Sequence, residues 1–367
     1  MWNYNIPVKI FQGEKILSEK KELLNSFGKN ALLVTGRNSA KLSGVLDDLL
    51  KILKEYKIQF YIFDRVEENP SYDTVEMGAA LFDEHDFDFV IAIGGGSPID
   101  AGKAIAALGT YYKHDAYLFN ESDDIYKNTL PIIAIPTTSG SGSEITPYSI
   151  LTNRENKKKG IQSNRLFPTV AFLDPRYTTT LNESLTISTG LDALTHSIEG
   201  ELKNNGTNPV IKSLSLKSTT MIKGNLTDIQ KKLSSIKFRK DLQEASAMAG
   251  IVISHFGTTI IHSAGYPLSS FKKVKHGIAN SVFFIDVLER ISQTEEKRVL
   301  NAIEPFVSLQ ELKNFFINLD IDKYKFDLSD EEIQKWSEEL VISQKRKKTP
   351  GEFDLEFYKS LYNKIRK

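Results

Sequence analysis

Short apolar runs alternate with amphipathic stretches through the first half of the chain. Ala31 to Thr35, Gln59 to Phe63, Phe89 to Ile93 and Ile132 to Ile135 are rich in aliphatic or aromatic residues and are followed by Gly, Asp or Pro. They read as buried strands. Between them, Lys41 to Tyr56 and Tyr72 to Glu84 carry apolar residues at helical spacing. A strand-helix alternation predicts a mostly parallel sheet with helices over its faces. From about Thr180 only the helical period persists, in Leu191 to Leu202, Pro209 to Ile222, Asp241 to Ile253 and Ser329 to Leu340. Ser329 is a predicted N-cap, with acidic residues filling the turn after it. The change of period predicts an α/β domain over residues 1–178 and a helical domain over 179–367, divided near Phe172 to Leu181.

Composition narrows the classes of function. A chain of 367 residues exceeds the usual size of one core, which also favours two domains. Lys+Arg and Asp+Glu both number 47, so no net positive charge draws the chain to nucleic acid or to acidic membranes. Neither a signal-peptide start nor a membrane-length apolar run is visible, and a cytoplasmic protein is the expectation. With no cysteine, any metal must be held by His, carboxylate or another oxygen donor.

Two turns carry candidate ligand chemistry. The strand at Phe89 runs into Gly94, Gly95, Gly96 and Ser97, followed by a helix over Ile99 to Leu108. Bare backbone amides at a helix's positive end suit a pyrophosphate, although a tight turn that merely needs glycine reads the same way. The pattern is neither GxGxxG nor GxxxxGK[ST], which disfavours a Walker-type ATPase. A second turn, Pro136 to Glu144, is dense in hydroxyls and glycine at another strand's carboxyl end, where ligands of open α/β sheets bind. Its plainer reading is a helix start capped by Ser143 or Thr138.

The helical half holds four candidate metal ligands. Asp192 and His196 stand four residues apart, on one face of a helix. His262 and His276 follow, so the set takes three of the six histidines in the chain.

Together these pieces resemble the iron-containing, or group III, alcohol dehydrogenases. The matching segments are GGGSPID at Gly94 to Asp100, AIPTTSGSGSE at Ala134 to Glu144, FLDPRY at Phe172 to Tyr177, STGLDALTHSIEG at Ser188 to Gly200, then IIHSAGYPL and KHGIAN. The resemblance implies a dehydroquinate synthase-like fold, with a Rossmann-like α/β N-terminal domain, an all-α C-terminal domain and an active site between them. It implies that Asp192, His196, His262 and His276 hold one divalent ion, Fe²⁺ by family expectation and Zn²⁺ as the alternative that the donor types equally allow. It further implies metal-assisted hydride transfer between a nicotinamide and a small alcohol or aldehyde of the short-chain, diol or butanol type.

By the same resemblance, Gly94, Gly95, Gly96, Ser97 and Asp100 fall at the pyrophosphate, Thr137, Thr138 and Ser141 beside the nicotinamide, and Lys158 at the ribose. NAD-preferring relatives commonly place Asp at the position of Gly36. Here Gly36 leaves space, and Arg37, Asn38 and Ser39 follow it, so NADP(H) is expected over NAD(H). The chain departs from the pattern where many relatives read HAMAH: the second histidine is Tyr266, and a phenol is a poor base at neutral pH. Thr258 and Thr259 replace small residues before His262. His255, seven residues before His262, is read as sharing its helical face. Tyr148, Phe256 and Tyr266 are candidate pocket walls. At least a homodimer is expected, with neither nucleic acid nor membrane as partner. A glycerol-dehydrogenase-like or dehydroquinate-synthase-like activity is disfavoured by the full ligand set, and a catalytically silent binding protein on the same fold remains the alternative of another class.

Overall fold

The computed structural model describes residues 2–227 and 229–367. It divides into two compact units, one made of Asn5–Asn182 with Gln230–Ala247, the other of Met1–Tyr4, Glu183–Ile229 and Met248–Lys367.

The first unit is built on eight strands: β1 (Lys9–Gln12), β2 (Asn30–Gly36), β3 (Gln59–Val66), β4 (Phe89–Gly94), β5 (Ile132–Pro136), β6 (Tyr148–Thr152), β7 (Lys158–Gln162) and β8 (Val170–Leu173). Six form a sheet in the order β1-β8-β5-β4-β2-β3, with every pairing parallel. Alternation along β2 explains why both faces are covered. Leu32 and Val34 join the core beneath helices Tyr72–Ala79 and Gly96–Leu108, whereas Ala31 and Leu33 join the core beneath Val45–Glu55. β4 and β5 are buried along their whole length, hence their near-continuous apolar sequence.

The chain leaves β2 toward β3 and leaves β4 toward β5, in opposite directions along the sheet. A crevice opens outside the carboxyl ends of two such neighbouring strands. Here those ends are Gly36 and Gly94.

Four strands were not read from the sequence. β1 and β8 are four residues each, too short for a clear period. β6 and β7 form an antiparallel hairpin, and the KKGIQ of β7 exposes most of its side chains.

The second unit is helical among its described residues, with Glu183–Asn204, Pro209–Leu226, Ile260–Phe271, His276–Ala302 and Asp330–Ile342 among its members, together with the end of Ile236–Phe256. Ser329 caps Asp330–Ile342 in a full capping box with Glu332, as its sequence pattern predicts. The unit begins at Glu183, and residues 230–247 belong with the α/β unit. Arg239, 2% exposed, is one tie across that return: its guanidinium donates to the Leu181 carbonyl at 2.8 Å and, within the segment, to the Leu233 carbonyl at 2.9 Å. No single helix among the described residues is long and apolar enough to cross a membrane.

Candidate metal centre and cofactor turn

Asp192 and His196 lie one turn apart on the buried face of helix Glu183–Asn204, each 5% exposed. His262 sits in the first turn of Ile260–Phe271, and His276 opens His276–Ala302. Glycine lets these helices meet. A Cβ on Gly277 would stand 1.7 Å from the Ser188 carbonyl oxygen, and one on Gly265 would stand 2.2 Å from Asn280 Oδ1. Any larger residue at 277 would force His276 and Asp192 apart.

One oxygen, Asp192 Oδ1, is the focus. His196 Nε2 lies 3.8 Å from it, His262 Nε2 3.6 Å and His276 Nε2 3.8 Å. Asp192, His196 and His262 offer three ligand atoms within 4.8 Å of one another, and His276 approaches from the more open side, with 31% of its side chain exposed. Asn280 Nδ2 bridges Asp192 Oδ1 and His276 Nε2, at 3.2 Å from each. Burial by itself would raise the Asp192 carboxyl, but the neighbouring charge of His196, His276 and His262 outweighs it, holding the group below the usual carboxylate range.

Glu199, one turn beyond His196, stands behind His262. Its Oε1 accepts from His262 Nδ1 at 2.5 Å, and its Oε2 accepts from the Thr259 amide at 2.6 Å and from the Thr259 hydroxyl. Glu199 is fully buried; desolvation pushes its carboxyl up, yet the His262 charge and these hydrogen bonds bring it below its ordinary value. With Nδ1 held by a carboxylate, the imidazole presents Nε2 to Asp192. That Nε2 is buried and has no hydrogen-bond partner among the described residues. A buried lone pair without a donor is costly unless an acceptor of electrons fills the gap, so the donor set fits a divalent cation.

In the α/β unit the two glycine-bearing turns lie side by side. Gly94 has φ +143°, a conformation that side chains rarely adopt, and a Cβ there would meet Pro98 Cγ at 2.7 Å. Helix Gly96–Leu108 begins two residues later than the strand ends, earlier than its apolar pattern suggests. The Thr137 amide donates to the Gly94 carbonyl at 2.8 Å, and a Cβ on Gly96 would stand 2.9 Å from Ser141 Oγ. The first-turn amides of that helix lack intrahelical acceptors by construction and lie under the Thr138 and Ser141 side chains. No α-helix follows the second turn, only a three-residue 3₁₀ turn, Ser143–Ile145, so a capped helix does not explain its hydroxyls.

Residues 7–175 match the family model for iron-containing alcohol dehydrogenase, and residues 186–314 match the C-terminal model of the same family. The chain belongs to the iron-containing alcohol dehydrogenase family. It is 34% identical to the 1,3-propanediol dehydrogenase of Klebsiella pneumoniae over 287 residues, 77% of this chain and 73% of that protein. Against the NADPH-dependent butanol dehydrogenase of Clostridium saccharobutylicum it is 32% identical over 330 residues, 87% and 82% of the two chains. The crystal structure of an iron-containing alcohol dehydrogenase from Thermotoga maritima superposes with a TM-score of 0.92 at 39% identity, covering 100% of this chain and 99% of the other. The protein is therefore an oxidoreductase of the alcohol dehydrogenase type, with an α/β sheet domain and a helical domain.

The remaining residues singled out in the sequence of this alcohol dehydrogenase lie in both units. Asp100 is turned into the α/β unit: its carboxylate accepts from Ser143 Oγ and from the Ile150 amide at 3.0 Å. Ser97 Oγ accepts from the Asn69 amide at 3.1 Å and braces the loop after β3. Lys158 begins β7 opposite Thr152. Arg37 and Asn38 are exposed beyond β2, and Arg37 makes no hydrogen bond or ion pair among the described residues. His255 does not share a helix with His262, because Ile236–Phe256 and Ile260–Phe271 are bent by 114°; its ring stacks on Tyr4 at 5.2 Å. Thr259 is the N-cap of Ile260–Phe271, and its amide donates to Glu199. Tyr266 stacks on His276 at 5.8 Å, and its hydroxyl accepts from Lys345 Nζ at 3.3 Å.

Four residues went unread in the sequence: Glu199, Asn280, Lys103 and Lys345. Two had a local signal, since Glu199 is seven residues after Asp192 and Asn280 four after His276, each on its ligand's helical face. Lys103, three residues after Asp100, is wholly buried and donates to Ser143 Oγ and to the Thr146 and Tyr148 carbonyls. Burial lowers its ammonium to about 8, and burial likewise raises the adjacent Glu144 carboxyl to about 7. Lys345, 83 residues beyond His262 by sequence number, lies in the short Lys-rich run Lys345 to Lys348, whose plain reading is a solvated face.

Proposed function

We propose that this enzyme transfers a hydride between NADP(H) and a small alcohol or aldehyde, with Asp192, His196, His262 and His276 holding Fe²⁺, or Zn²⁺ in its place. The observation that carries the metal reading is the orphaned, buried Nε2 of His262, set by Glu199 and aimed at Asp192 Oδ1. When bound, the ion supplies a Lewis acid for the substrate oxygen and the nicotinamide a hydride carrier. The chain's own residues bind and orient. Glu199 fixes the imidazole of His262, Asn280 steadies Asp192 and His276, and the half-exposed side of His276 beside Tyr266 leaves room for a substrate. Gly94, Gly95, Gly96 and Ser97, with Thr137, Thr138 and Ser141 over them, supply the phosphate turn, and Lys158 stands for the ribose contact. Asp100 acts in this reading by anchoring the turn from below.

The NADP(H) preference rests on Gly36 and Arg37. No carboxylate ends β2, and the guanidinium beside it is uncommitted. The Clostridium saccharobutylicum relative is NADPH-dependent by name. Cytoplasmic work as a homodimer or larger assembly belongs to the same reading. The test is kcat/KM for an aldehyde panel with NADPH and NADH in the iron-loaded protein, repeated in Gly36→Asp. A Cβ at 36 meets the Val66 carbonyl at 3.3 Å, so the side chain needs only a small shift to fit. NADPH is expected to win in the native chain and to lose about tenfold or more in the variant, where a carboxylate repels the 2′-phosphate. A native preference for NADH refutes the cofactor assignment.

A further inference from the structure

The open side of the metal centre carries positive charge that the protein does not neutralise. Lys345 Nζ donates to Thr258 Oγ1 at 2.7 Å and to Tyr266 OH at 3.3 Å, and stands 4.9 Å from the Tyr266 ring centre. Tyr266 in turn stacks on His276, the most exposed of the four candidate ligands. Thr258 joins a second ammonium: Lys203 Nζ donates to its carbonyl at 3.4 Å and to the Phe256 carbonyl. Lys348 adds a third charge, which with burial and Lys345 lowers Lys203 to about 8. Among the described residues, no carboxylate lies within salt-bridge distance of Lys203, Lys345 or Lys348. The nearest acid named against them, Glu199, already has both oxygens taken by His262 and Thr259.

Lys203 has a structural use, since it closes the carbonyl end of helix Ile236–Phe256. Lys345 has no comparable one. An ammonium carries three donors, and its two protein partners here are neutral hydroxyls. Crowding like charges beside a metal site costs stability unless an anion arrives to answer them.

We infer that Lys345, backed by Lys203 and Lys348, binds the anionic tail of the substrate, and that the preferred substrate is a short aldehyde bearing a carboxylate, or the matching hydroxy acid. This rests on the dehydrogenase reading above and narrows its substrate class. The anion sits at the Lys345 and Thr258 end of Tyr266, and the carbonyl at the His276 end. In the reductive direction the carbonyl carbon gains the hydride, its oxygen gains a proton from solvent, and the reduced nicotinamide is oxidised. The carboxylate is unchanged throughout.

The test compares succinic semialdehyde with butanal, equal in carbon number, on the metal-loaded enzyme with its preferred nicotinamide. The ratio of kcat/KM for the acid aldehyde over the neutral one is expected to exceed about tenfold, and to fall by about tenfold to a hundredfold in Lys345→Gln, chiefly through KM. Lys345→Arg restores most of the ratio. High salt lowers it in the native chain. A direct readout accompanies it: 4-hydroxybutyrate raises Tm more than 1-butanol at equal concentration, and Lys345→Gln abolishes that difference. A native ratio near or below one, or a ratio indifferent to Lys345→Gln, overturns the anion site while leaving the dehydrogenase standing. Turnover of neither aldehyde with either nicotinamide refutes the dehydrogenase reading instead, and the Tm comparison then decides the anion site alone.

Discussion

Replacing Glu199 by Gln tests whether His262 is a metal ligand whose direction is set from behind. The native carboxylate accepts three hydrogen bonds, from His262 Nδ1, the Thr259 amide and the Thr259 hydroxyl, at full burial. Gln keeps the shape and one carbonyl oxygen. That oxygen can face His262 or Thr259 but not both, so the new NH₂ must point at one existing donor. One buried donor left without an acceptor costs about 1–3 kcal/mol of folding stability. The loss of charge also weakens the hydrogen bond that makes Nε2 a better electron donor. Changes of this kind behind a ligating imidazole cost about 10–100-fold in metal affinity, equivalent to roughly 1.4–2.7 kcal/mol. The assay is competition of the apo-protein for Zn²⁺ and anaerobic Fe²⁺ against a chromophoric chelator, with Tm and circular dichroism on the same samples. A folded Glu199→Gln variant whose Kd for either ion stays within twofold of the native value refutes the assignment of Glu199 as the residue that orients His262.

Gly277→Ala places a methyl carbon 1.7 Å from the Ser188 carbonyl, and backbone cannot yield as a flexible side chain does. Two helices must part, so we expect a loss of more than about 2 kcal/mol in denaturant unfolding and a drop in metal content larger than that loss explains; unchanged metal stoichiometry in soluble, stable protein contradicts the proposed role of this contact. In the α/β unit, burial raises Glu144 to about 7 in the folded chain from an ordinary 4.5. A folded pKa above the unfolded one stabilises below the unfolded value and is lost as pH climbs through the folded value, so this contribution is full below pH ~4.5 and gone above ~7. Glu144→Gln is therefore expected to remove on the order of 3 kcal/mol of decline in unfolding free energy across that window. Parallel stability-pH curves for the two proteins would count against a neutral Glu144 at low pH.

The period of the apolar residues determined the two kinds of architecture, because a doubly covered parallel sheet demands continuous hydrophobic strands and a helical unit demands a 3.6-residue stripe. The four candidate ligands stood out by the motifs that resemble the family's, with composition adding only that no cysteine competes with them. Short or solvent-facing strands such as β1, β7 and β8 left too little pattern to read. Tertiary structure decided everything that depends on which atoms face each other across distant segments. Glu199 reaches His262 over 63 positions, and Gly277 lets His276 approach Asp192 only because another helix's backbone happens to pass there. His255 and His262 looked like neighbours on one helix until a bend separated them, whereas Lys345 belongs to a Lys-rich run that reads as a solvated face and is brought to Tyr266 by the fold. Local periodicity is encoded within a few residues; the direction of a lone pair and the balance of charge around it are set by the packing of whole helices.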